Sequence, residues 1–101
     1  MALDFTRICR ICLEEYEETF DIFTSIYYKN NTSYCDMLTV CTNIKPYEGD
    51  GLPRLICKEC SKQLKRTYSF YTKCEKSNHK LMKFLETELG TEIKPLRISN
   101  I

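Results

Sequence analysis

The longest periodic stretch of the chain lies in its C-terminal half. From Lys58 to Leu89 there is neither proline nor glycine. Within it Leu64, Thr67, Tyr71, Cys74, Asn78, Leu81 and Leu85 recur at alternating steps of three and four, the spacing of one helix face with a heptad-like seam. Tyr68, Phe70, Met82 and Phe84 widen the apolar surface, while Lys62, Lys65, Arg66, Lys73, Lys76, Lys80 and Lys83 occupy much of the remainder. The pattern predicts a single helix over 58–89, about 48 Å long at 1.5 Å per residue. Gly90 falls at its C′ position and Pro95 bars simple continuation.

The first half has shorter signals. Residues 1–8 are expected to be extended, and 7–13 to form a short strand and a knuckle in which Ile8 and Ile11 flank two cysteines. The acidic run Glu14–Glu18 suits a turn and Phe20–Phe23 a short strand. Tyr27–Thr32 lacks a period and ends in turn formers, which predicts a loop. Ser33 is a plausible N-cap for a short helix with Asp36 as its acidic partner. Met37, Leu38, Val40 and Cys41 give that helix an apolar side, and it ends near Asn43. Pro46, Gly49, Gly51 and Pro53 make 44–54 a connector. The expected organisation is one domain over 1–89 and a linker-like tail over 90–101.

Composition bears mainly on chemistry. A chain of 101 residues buries a modest core, and domains of this size often need a staple. Seven cysteines is an odd count for a disulfide scaffold, and neither a leader peptide nor a membrane-spanning run is visible, which favours a reducing, intracellular compartment. The two N-x-S/T matches at Asn30 and Asn31 are then chance. Cys9 and Cys12, and again Cys57 and Cys60, are separated by two residues. Each such loop brings two sulfurs to one tetrahedral ion and turns backbone amides toward them, and two loops complete a four-cysteine shell. The second pair is expected to span the first turn of the long helix, whose positive end favours thiolates. Two redox pairs are the alternative, but no βαβ pattern accompanies them. Zinc, one ion per chain, is the expected cofactor, in a structural role: a closed shell has no open position for catalysis, and no other catalytic constellation is present. His79 is expected to be a helix-surface residue, and Cys35, Cys41 and Cys74 small core residues. Arg10 either donates to carbonyls or a carboxylate of the head or is solvated.

Formal net charge is +1, but its halves differ: residues 1–50 carry four basic and nine acidic residues, and 51–101 carry eleven and five. This balance is not the footprint of a nucleic-acid binder. The halves are complementary in sign, which fits pairing within one molecule, pairing between two, or separate solvation.

Cys9-Arg10-Ile11-Cys12-Leu13, the short helix near Met37–Cys41, Leu52-Pro53 ahead of Ile56-Cys57-Lys58-Glu59-Cys60, and then Leu64, Tyr68-Ser69-Phe70, Cys74-Glu75-Lys76-Ser77 and Leu81 occur in an order that resembles the zinc-finger-associated domain (ZAD) of insect Cys₂His₂ transcription factors. The resemblance spans roughly residues 7–86. It implies a small α+β zinc-stabilised domain: a treble-clef-like head with short strands and a short helix, followed by one long C-terminal helix. It implies Cys9, Cys12, Cys57 and Cys60 as the metal ligands, and a homodimerisation module at the N-terminus of a longer nuclear protein that regulates transcription and binds DNA through fingers not present here.

Geometry leads independently to the same function. A head of about 55 residues cannot easily cover a helix of about 48 Å, and contiguous exposed apolar surface marks an interface. Leu64, Tyr68, Tyr71, Leu81, Met82 and Leu85 are the expected dimer-interface residues. The expected dimer is head-to-tail, with each acidic head meeting the other chain's basic helix; related ZAD chains are possible partners, and neither nucleic acid nor membrane is contacted directly. The alternative is a nucleic-acid-binding zinc module using the basic helix; an enzyme is not expected.

Overall fold

The structure, a computed structural model, describes residues 3–89. The expected tail over 90–101, with its helix-ending Gly90, lies outside the described residues. In chain order the elements are β1 (Thr19–Asp21), β2 (Ile26–Tyr27), β3 (Thr32–Ser33), α1 (Tyr34–Thr42), β4 (Leu55–Cys57) and α2 (Lys58–Leu89). This is the small α+β architecture expected, with short antiparallel strands, one short helix and one long one. Contacts divide the chain between Ser69 and Phe70, so the head up to residue 69 and the segment 70–89 are each described by themselves.

In the head, β1 pairs antiparallel with β4, Phe20 opposite Ile56. A second ribbon joins β2 to β3, Ile26 opposite Ser33 and Tyr27 opposite Thr32. This hairpin falls where a loop is expected. Its signal is at the turn: Asn31 adopts φ 55°, a left-handed conformation that asparagine tolerates, and Asn30 Oδ1 accepts from the Thr32 amide at 3.0 Å. Two-residue strands are too short to show alternation.

The termini of α1 follow local chemistry. Ser33 Oγ accepts the Asp36 amide at 3.0 Å, which satisfies a donor the helix leaves open. Asn43 closes the other end at φ 65°, its amide donating to Thr39 O. The buried side of α1 is Tyr34, Met37 and Leu38, with Cys41 packed beside them. Val40 is exposed instead, because the burial follows the i, i+3, i+4 positions set by Tyr34. These side chains meet Ile22, Ile56, Cys9, Cys57 and Leu64 in one cluster.

Near the N-terminus, residues 4–7 of the expected extended run form a turn. The Asp4 carboxylate accepts from the Thr6 amide and hydroxyl at 3.0 and 2.6 Å, and Arg7 N donates to Asp4 O. Helix α2 begins at Lys58, as the pattern predicts. Early in it, Ser61 is buried and donates to Lys58 O at 2.7 Å, so this small hydroxyl enters the core without an open donor.

Candidate metal centre

The two CxxC pairs stand 44 residues apart, counted between Cys12 and Cys57, and the fold joins them by three devices. Cys9 forms a parallel bridge with Leu55, and Arg10 N donates to Leu55 O at 2.7 Å. The first loop is closed by Leu13, whose φ of 66° turns its amide onto Cys9 O at 2.9 Å. Third, Arg10 reaches across the connector. Its guanidinium donates to Asp50 Oδ2 at 2.9 Å and to Pro53 O at 3.0 Å. The Arg10 and Asp50 side chains are only 11% and 9% exposed. Asp50 also accepts the Leu52 and Tyr47 amides. The Arg10 hydrogen bond and the Leu52 amide hold its carboxyl down at about 2. Arg10 thus locks the connector that delivers the second pair, the role sequence left open against a solvated side chain.

The result is a four-sulfur cluster. The Sγ atoms of Cys9, Cys12, Cys57 and Cys60 all lie within 4.8 Å of one another. A tetrahedral zinc with bonds of about 2.3 Å sets its sulfurs about 3.8 Å apart, so the cluster is of the right size. Its donors are all thiols, which select zinc or iron–sulfur chemistry over hard cations. Among the described residues none of the cysteines forms a disulfide. Cys9 and Cys57 are buried, Cys12 and Cys60 half-buried.

Backbone amides point at the sulfurs. Ile11 N and Cys57 N each donate to Cys9 Sγ at 3.3 Å, and Cys60 N donates to Cys57 Sγ at 3.4 Å. Burial pushes the Cys9 thiol up, but the amides of Cys12, Cys57 and Ile11 outweigh it and hold the group below its ordinary value. At Cys57 burial prevails over the Cys60 amide, and the thiol is raised. Cys60 is raised strongly, by burial first and then by its bond with Cys57 and the charge of Cys9. The expected help from the helix start is present as an N–H···S bond. Four neighbouring thiols cannot all ionise side by side; a divalent cation held by Cys9, Cys12, Cys57 and Cys60 supplies the charge that lets them. Tyr16 adds a neighbour that sequence reasoning missed: the nearby Cys12 raises the phenol's pKa.

The other expected site residues separate. Leu64 is 7% exposed within the head core, and Tyr68 packs against that core. In the segment 70–89, Tyr71 and Leu81 are exposed and Met82 and Leu85 half-exposed. Phe70 and Phe84, which are not in the expected interface set, are 65% and 59% exposed. Cys35 and Cys41 are half-buried, and burial raises both thiols. Cys74 is exposed, a correction to its reading as a core residue. His79 is on the helix surface, as expected.

Fold and site together define a class: a small α+β domain in which a four-cysteine cluster fit for zinc anchors the start of a long helix. The family model of the zinc-finger associated domain matches residues 8–84, and the chain belongs to that family. No curated protein matches it. No helix among the described residues is long and apolar enough to cross a membrane.

Proposed function

We propose that this chain is the homodimerisation module of a nuclear zinc-finger protein that regulates transcription, ordered by one structural zinc per chain, with no enzymatic role. The observation that carries the reading is the apolar face of residues 70–89. Phe70, Leu81 and Phe84 are each about 60% exposed or more, and Tyr71 and Cys74 are exposed beside them. A helix with so much uncovered apolar surface is the ordinary mark of an interface.

The order of residues favours a second copy as the occupant. About the step between Ser77 and Asn78, an antiparallel pairing sets Phe70 against Leu85, Tyr71 against Phe84, Cys74 against Leu81 and Glu75 against Lys80. A two-fold axis repeats each of these pairs. Charge between heads and helices contributes less than the sequence suggests. Glu15, Glu18, Asp21, Glu48 and Asp50 already pair with Arg7, Lys58, Arg54 and Arg10 within the head. The association is therefore mainly apolar and only weakly salt-dependent.

Sedimentation equilibrium with zinc analysis on the same sample tests the proposal. One zinc per chain and two chains per particle at micromolar concentration is expected. A zinc-loaded monomer overturns the dimer, and a salt-dependent shift with duplex DNA in that monomer favours the nucleic-acid reading instead.

A further inference from the structure

We propose that Lys65 is a charge-dependent clamp that holds the β2–β3 hairpin against the first turns of α2. Its Nζ stands 4.6 Å from the ring centroid of Tyr27 and 5.6 Å from that of Tyr34, both inside the reach of about 6 Å over which a ring face attracts a cation. Tyr27 ends β2, and Tyr34 opens α1. Tyr34 is buried and stands edge-on to Phe20 at 5.8 Å. One ammonium on α2 therefore joins the hairpin, α1 and, through Phe20, the β1–β4 ribbon.

The clamp does what the hairpin cannot do alone. A ribbon of two residue pairs is marginal by itself. Its base is tied to the head by Tyr34 N on Ser25 O at 3.4 Å and Cys35 N on Ile22 O at 2.9 Å. Its tip is tied by Asn30 Nδ2 on Met37 Sδ at 3.6 Å. Between base and tip, the Tyr27 ring is anchored by Lys65. The Lys65 side chain is half-buried, and among the described residues its ammonium has no carboxylate within ion-pair distance. The two ring faces are therefore the electrostatic partners of this ammonium. Charge, rather than the length of the side chain, is thus what the site requires. The clamp fixes where the head presents Ile26 and Tyr28, the exposed apolar residues of the hairpin. Neutralising Lys65 releases them.

Native-state hydrogen exchange on the zinc-loaded full chain tests this with Lys65→Met, close in shape but neutral, and Lys65→Arg, which keeps the charge. The reporter is the Asn31 amide, bonded to Tyr27 O at 2.7 Å. Lys65→Met is expected to speed its exchange by about five- to thirty-fold, and Lys65→Arg by less than about twofold. Equal exchange in Lys65→Met and wild type overturns the proposal. So does equal acceleration by both variants, which assigns the effect to packing of the stem. In a Tyr27→Leu background the Lys65→Met effect should shrink; its persistence at full size also overturns the clamp.

Discussion

The head and the segment 70–89 use the same kinds of residue to opposite ends. In the head, Ile22, Met37 and Ile56 are fully buried, and the residues that pack around them are drawn from Cys9 through to Tyr68. In 70–89, Phe70, Leu81 and Phe84 are no less hydrophobic but remain exposed. The head also pairs several of its charges internally, among them the enclosed Arg10–Asp50 pair and the Asp21–Arg54 pair at 2.7 Å. At Asp21 burial pushes the carboxyl up, but the Arg54 hydrogen bond and the Phe23 amide hold it below the ordinary range. The contrast separates two regimes: long-range packing and a four-cysteine cluster order the head, whereas the apolar face of 70–89 is left uncovered, which is why association is proposed for it.

That contrast can be broken first at the metal. Removing zinc with a chelator, or replacing Cys57 by Ser, should unfold the head, because structural zinc binding is worth about 10–16 kcal/mol in small zinc peptides near neutral pH. Loss of the β-ribbon amides from a protected NMR spectrum is the readout, and a folded, zinc-free head refutes the assignment. Zinc affinity should also fall as pH is lowered. Binding requires thiolates, Cys57 and Cys60 hold their protons more tightly than ordinary thiols, and acid returns those protons. Zinc release followed with a colorimetric chelator checks the direction.

Association is the next largest effect. Leu81→Glu should weaken the dimer by at least about 100-fold, as expected when a charge is placed in an apolar interface, while zinc content and the head's melting stay as in wild type. A dimer unchanged by Leu81→Glu places the interface elsewhere. Smaller, and confined to the head, is Leu64→Ala: about 2–4 kcal/mol of stability lost by denaturant unfolding, as for other buried leucines. Leu81→Ala should leave the head's own stability nearly unchanged. Smallest is the comparison of two arginines. Arg10→Gln should lower the melting temperature of the zinc-loaded protein by several degrees, because it strands the enclosed Asp50. Arg7→Gln, whose partner Glu15 is well exposed, should change it by less than about 2 °C.

Local chemistry was legible in the sequence wherever it is sufficient by itself. The start of α2 at Lys58, the Ser33 cap and the Asn43 stop each depend on residues within a turn of one another, and all three are found in the structure. The set of four clustered cysteines was legible for the same reason, since each CxxC loop positions its own two sulfurs. The hairpin was not, because its two-residue strands gain their stability from Met37, Tyr34 and Lys65, which belong to other elements.

The sequence by itself determined which segments are helical, where they begin, and which four thiols can share a cation. Only the tertiary structure decided how the two loops meet, through Arg10 on Asp50 and Pro53, and which apolar residues along one continuous helix are covered. Leu64 and Leu81 stand in the same seam and have the same side chain, yet one is 7% exposed and the other 62%. Periodicity fixes the face a residue shares; burial depends on what packs against that face, and no local pattern encodes it.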